Sequence, residues 1–248
     1  MLVKSTGDVP DISPQVLTEI RAHAAAEYPR EMCGLLLVRK GRMRYRGCRN
    51  LAQGTEHFVM APEDFAAAED LGEVVGVVHS HPDSPAAPSE ADLVGCEATG
   101  LPWHILSWPT DDLRTIEPSG YIAPLIGRTF AHGVLDCWSL VRDFYARELG
   151  IELPDFERRD DWWAQGENLY MEGYPKAGFV VVNQDAPEKV GDVILMQRRA
   201  EVPNHAGVYL GGGLMLHHMH GRLSTREVYG GYWREITRCV LRHQNLMG

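Results

Sequence analysis

The sequence has no long apolar run, no paired cysteines and no surplus of positive charge. No stretch approaches the roughly 18–20 apolar residues of a membrane-spanning helix, so no membrane span is expected. The N-terminal MLVKSTGDVPDISPQVL lacks the apolar core of a signal peptide, which predicts a soluble chain made in the cytoplasm. Five cysteines (Cys33, Cys48, Cys96, Cys137 and Cys239) are scattered without a C-x-x-C pair. That argues against a disulfide framework and against a cysteine-built zinc knuckle. Lys and Arg number 24 against 34 Asp and Glu, a net charge of −10. A nucleic-acid partner needs clustered cations to neutralise phosphates, so none is expected. Internal repeats and low-complexity tracts are also lacking. With 44% hydrophobic residues among 248, the chain can fill one large core or two small ones.

What is there reads as mixed helix and strand. Ile12 to Tyr28 has Val16, Ile20 and Ala24 at helical spacing, a Ser13-Pro14 start and Pro29 as a stop. Cys33 to Val38 is an apolar strand, and Lys40-Gly41 marks a hairpin turn into a second. Pro62 to Glu69 predicts a helix, Val74 to Val78 a central strand, Ser89 to Ala98 a helix and Trp103 to Ser107 a strand. Residues 109–128 hold three prolines and two glycines with little periodicity and read as a linker. Asp136 to Leu149 predicts a helix with Trp138, Val141, Tyr145 and Leu149 on one face. Short strands follow at 179–183, 191–196, 205–210, 214–218 and 236–241. The order is not strictly alternating, which predicts an α+β fold in two domains, 1–116 and 117–248.

In the first half, the apolar run VVGVV ends in His79-Ser80-His81, and Ser89-Glu90-Ala91-Asp92 follows. Residues i and i+2 of a strand share a face, so both imidazoles point the same way, with their backbones roughly 6–7 Å apart. That suits one metal between them. Asp92, in the first turn of the next helix, can add a third ligand, and a catalytic zinc uses about three protein ligands. Ser89 to Asp92 is equally a helix capping box, and the two roles are compatible.

This pattern, H-S-H, seven residues, then S-x-x-D, resembles the JAMM (MPN-plus) metalloprotease family over residues 5–115. The upstream glutamate of that family is matched by Glu31 in PREMCGLLL. The resemblance implies Zn2+ on His79, His81 and Asp92, Glu31 as general base and Ser89 as oxyanion donor. It implies cleavage of an amide or isopeptide bond.

The second half offers a different chemistry. In HGVLDCWSLVRDFY, Cys137 falls in the first turn of a helix with Asp136 as its N-cap. Helix N-termini lower thiol pKa values. In NHAGVYLGGGLMLHH, His205 opens a strand and His217 lies twelve residues on, across a glycine turn. A cysteine, a base and a group orienting that base form a nucleophilic triad.

These segments resemble the NlpC-type cysteine peptidases, papain-like enzymes of peptidoglycan stem peptides, over residues 120–248. The resemblance makes Cys137 the nucleophile, His205 the base and His217 the third member. His218 and His220 are alternatives for the third place, but alternation turns His218 to the other face. His132 could line the cleft. Trp138 stands where that family has a small residue, which alters the expected cleft shape.

The succession of the two domains resembles a family of tail-tip proteins of lambda-like phages. That resemblance implies peptidoglycan stem peptides and other phage tail-tip proteins as partners, and a route from the cytoplasm to the virion tail tip and the host wall. Two alternatives remain: a structural assembly factor with idle sites, and an intracellular zinc isopeptidase.

Overall fold

A computed structural model describes residues 12–183 and 186–247. The N-terminal stretch read for a signal peptide therefore lies mostly outside the described residues. The fold is two domains of mixed helix and sheet, and the chain divides into compact units at Ile122/Ala123.

In the first unit Ser13 caps helix α1 (Pro14–Glu27), its Oγ accepting from the Val16 N–H at 3.3 Å. Pro14 suits the first helical position, where no N–H is needed. Strands β1 (Cys33–Arg39) and β2 (Arg42–Cys48) form a hairpin. Lys40 and Gly41 both take positive φ, as a two-residue turn of matching twist requires. Helix α2 (Pro62–Glu69) precedes β3 (Glu73–Pro82), and α3 (Glu90–Thr99) crosses over to β4 (Trp103–Trp108). β3 runs four residues beyond the expected Val78, so both histidines lie within it.

The sheet order is β2-β1-β3-β4-β5, with β3 and β4 parallel and the other pairs antiparallel. β5 (Leu113–Ile116) corrects the linker expectation for 109–128: it pairs with Trp103–Leu106 as an edge strand. Four residues with two half-exposed side chains carry too little periodicity to show in sequence. Strand alternation sorts the core into two layers. Leu36, Val78 and Leu106 pack under Val16, Ile20 and Ala24 of α1. Leu35, Val77 and Trp103 pack against Ala68 of α2 and Cys96 of α3. His79 and His81 follow Val77 in parity and so face the α3 side.

In the second unit α4 (Cys137–Phe144) packs on a six-stranded antiparallel sheet of order β10-β9-β8-β7-β11-β6. The strands are β6 (Phe179–Val181), β7 (Val193–Met196), β8 (His205–Gly211), β9 (Leu214–His217), β10 (Thr225–Val228) and β11 (Thr237–His243). Short helices α5 (Leu169–Gly173) and α6 (Tyr232–Ile236) were not expected, and neither was β10. The helix beginning at Cys137 changes to a π turn over Tyr145–Leu149. Trp138, Val141 and Tyr145 are buried as its periodicity predicts, and Leu149 packs at the margin.

The start of α4 rests on a buried ion pair. Arg158 Nε donates to Asp136 Oδ2 at 2.7 Å, and both side chains are buried. Asp136 also accepts from Gly133 N, Ser139 N and Ser139 Oγ at 2.9–3.0 Å. Arg158 spends its remaining donors on Asp155, the Phe156 and Gly133 carbonyls and Ser139. Burial alone would raise the Asp136 pKa, but Arg158 and the Ser139 N–H outweigh it and hold the carboxyl below its ordinary value.

Removing Arg158 would leave that carboxylate buried and unpaired. Arg158→Leu should destabilise the unit by about 3–5 kcal/mol, read by denaturant unfolding. The depressed Asp136 pKa also fixes a pH dependence. Its contribution is fully present above the unfolded value of about 3.9 and lost as pH falls through the lower folded value. The difference between Arg158→Leu and wild type should therefore narrow as pH falls below about 4 and vanish only below the folded Asp136 value.

Candidate active sites

In the first unit the middle residue of His-Ser-His does the anchoring. Ser80 N donates to Met32 O at 3.1 Å, and Met32 N donates to Ser80 Oγ at 2.9 Å. With Cys33 paired to His79, this register puts Glu31 opposite His81. Asn50 Nδ2 holds the Glu31 carbonyl at 2.9 Å. Asp92 arrives from α3 through its cap: Ser89 N donates to Asp92 Oδ2 at 2.7 Å, and Asp92 N donates to Ser89 Oγ at 3.1 Å.

Three donors thus converge. The two Nε2 atoms of His79 and His81 are 3.1 Å apart, and Asp92 oxygens lie 3.1 Å from His79 Nε2 and 3.4 Å from His81 Nε2. Tetrahedral ligands about 2.0–2.1 Å from zinc stand roughly 3.3 Å from one another, so the donor set fits that ion. His81 is oriented from behind, its Nδ1 bonding the Pro85 carbonyl at 2.9 Å. His79 Nδ1 is buried without a hydrogen-bond partner, and its ring is held by Phe58 and Trp103.

The electrostatics follow from burial. Burial lowers the His79 pKa against the pull of Asp92. Burial also opposes charge on His81, but Asp92, the Pro85 carbonyl and Glu31 together raise its pKa. Asp92 is desolvated, yet bonds from His79, His81 and the Ser89 N–H take it far below the carboxylate range. Glu31 is pushed up to about 8, by burial and by Asp92, with His81 opposing.

In the second unit Asp136 caps α4 as expected and places Cys137 at its first turn. The Tyr170 hydroxyl lies 3.0 Å from the Cys137 sulfur, and the Ala206 backbone N–H opposes the rise in the thiol's pKa. Cys137 and Ala206 pack in one core cluster, and His205 precedes Ala206 at the start of β8. His205 Nε2 meets His217 Nδ1 at 3.0 Å. Gly207 makes this possible, since a Cβ there would stand 3.3 Å from the His217 Cβ. His217 Nε2 faces Glu227 Oε2 at 3.5 Å, outside hydrogen-bond geometry, and Trp233 Nε1 donates to the same oxygen at 2.9 Å.

The helix terminus does not lower this thiol as expected. Burial outweighs it and pushes Cys137 up to about 11, with Asp136 adding and Tyr170, Ala206 and Arg158 opposing. Burial likewise keeps His205 well below its ordinary pKa, helped by His217, so it is a neutral imidazole able to accept a proton. His218 turns to the opposite face, its Nε2 on the Arg222 carbonyl at 3.2 Å. His220 rests against Phe130. His132 is committed to the Arg158 carbonyl at 2.9 Å. Trp138 points inward against Phe156 and Tyr170, so it shapes the floor rather than the mouth.

Sequence reasoning missed Tyr170, Glu227, Trp233 and Arg158. Each sits on a loop, a short helix or an edge strand without a spacing signal.

Residues 13–118 match the family described as prokaryotic homologs of the JAB domain, and residues 127–242 match the NlpC/P60 family. The chain is 48% identical over 237 residues to the tail tip assembly protein K of Escherichia phage N15, covering 94% of this chain and 96% of the relative. It is 42% identical over 185 residues to the tail tip assembly protein K of Escherichia phage lambda, covering 75% and 89%. A JAB1/MPN domain protein from Archaeoglobus fulgidus is 25% identical, with a TM-score of 0.30 over 42% of this chain and 83% of that one. A candidate metal-donor cluster in one half, a cysteine and two histidines in the other, and alignment over 94% and 75% of the chain with these relatives lead to one assignment: the chain belongs to the family of the tail tip assembly protein K.

Proposed function

We propose that the chain is a tail-tip peptidase whose C-terminal half hydrolyses an amide of the peptidoglycan stem peptide, such as that between D-glutamate and the diamino acid. The observation that carries this reading is Cys137 at the start of α4, with the Tyr170 hydroxyl 3.0 Å from its sulfur, packed on β8, whose first residue His205 bonds His217 at 3.0 Å. His205 Nδ1 takes the Sγ proton while its Nε2–H donates to His217 Nδ1. The sulfur attacks the amide carbon, His205 returns the proton to the leaving amine, and water then releases the thioester. Tyr170 is placed to donate to the oxyanion.

The N-terminal half is proposed as a zinc peptidase acting on the wall or on a tail protein. His79, His81 and Asp92 would hold the ion. Zinc there would supply Lewis acidity toward water and a carbonyl. Glu31, opposite His81 across β1 and β3, would in its carboxylate form take a proton from water and pass it to a leaving amine. Ser89 accepts a bond from Asp92 N, and its own O–H remains to donate to an oxyanion. The working place of both sites is proposed as the host periplasm and wall, reached on the tail tip.

A second reading, an assembly factor with idle sites, draws on the burial of Cys137, only 8% exposed. Peptidoglycan digestion separates the two. Wild type and His79→Ala should release the same cut stem peptides by mass spectrometry, and Cys137→Ala should lose at least about 10³-fold. No release by any of the three would favour the idle reading.

Zinc content tests the other half. Protein purified without chelators should carry about one zinc per chain, as a three-ligand site predicts, and His79→Ala should carry almost none. Wild type with no zinc would overturn the metal reading.

A further inference from the structure

Behind His217 stands a carboxylate that neither triad member accounts for. Glu227 lies on the edge strand β10, two residues along from Thr225, which pairs with His217, and so on the same face of the strand. Its Oε2 is 3.5 Å from His217 Nε2 and accepts the Trp233 indole N–H at 2.9 Å. The Trp233 ring stands edge-on to His217, 4.6 Å between centroids, and 6.1 Å from His205. Gly230 and Gly231 turn the chain so that Trp233 comes back over these rings, with Gly231 at φ 47°.

We propose that Glu227, held by Trp233, is a positioning residue that extends the Cys137–His205–His217 alignment by one carboxylate. This rests on the cysteine-peptidase reading above. Proton counting carries the argument. For His205 to receive the Cys137 proton at Nδ1, its Nε2 must already bear hydrogen and donate to His217 Nδ1. His217 must then carry its own proton at Nε2, the atom that faces Glu227. A carboxylate there selects that tautomer and steadies the positive charge that reaches His205.

The surrounding charges make this contribution necessary. Arg198 and His218 oppose charge on His205, and Arg222 opposes it on His217. Asp136 favours it but is already neutralised by Arg158. Glu227 answers Arg222 at His217, moderated because its side chain is 34% exposed.

The test is iodoacetamide alkylation of the full-length chain across pH, read on the Cys137 peptide by mass spectrometry. Between the histidine and thiol titrations the rate reports the share of thiolate paired with imidazolium. On the rising limb toward the thiol titration, about 11, it reports free thiolate formed without imidazolium. Glu227→Gln should lower the neutral plateau about fivefold and leave the alkaline limb unchanged. Glu227→Asp should restore most of the plateau, and Trp233→Phe should lower it less than Glu227→Gln. An unchanged plateau in Glu227→Gln overturns the proposal. So does an equal fall in both limbs, which is what a merely structural role would give. A wild-type profile with no neutral plateau overturns the Cys137–His205 pairing itself, and this inference with it.

Discussion

Both sites depend on the unpaired N–H groups with which every helix begins. Those donors must be satisfied, and the satisfying side chain sits at a fixed place in the first turn. At α3 the capping box draws the Asp92 carboxylate back over the helix start, onto the face toward which β3 turns His79 and His81. At α4 the cap is Asp136, and the next residue is the nucleophile. In the first site one strand supplies both histidines by alternation, in the second two paired strands supply one each, and in both a helix start supplies the complementary group. Local backbone necessity thus does much of the positioning that the chemistry requires.

Burial sets the electrostatic character of both places. A desolvated acid or thiol keeps its proton, and a desolvated imidazole gives it up. Glu31, Cys137, His79 and His205 all shift in that direction. The exceptions are carboxylates with strong partners. Asp92 and Asp136 stay ionised in dry surroundings because imidazoles, a guanidinium and backbone N–H groups answer them. Burial therefore favours the neutral thiol at rest and keeps the thiolate–imidazolium pair a minor share.

Much of this was legible in the sequence, for physical reasons. His79 and His81 could be paired because a strand repeats every two residues, and Asp92 because a capping box has fixed spacing. Cys137 and His205 were visible for similar reasons. The α+β class and most strands followed from apolar runs. What escaped was what spacing does not encode. β5 and β10 are four-residue edge strands with mixed exposure. Tyr170 and Arg158 reach α4 from the irregular stretch between α4 and β6. Glu227 meets His217 only because β10 pairs with β9. The helix-terminus argument named a real influence on Cys137 but could not weigh it against burial, which needs the packed structure.

The double duty of Asp92 has a consequence for how this kind of site would decay over generations. A descendant with no use for a metal at this place could shed the histidine pair, at the cost of repacking around the buried His79. Asp92 would still be wanted, since the same oxygen that faces His81 accepts the Ser89 N–H. Ser89 and Asp92 would then persist as fossils of helix architecture, and their survival alone would say nothing about metal. The histidine pair is the part whose retention signals use.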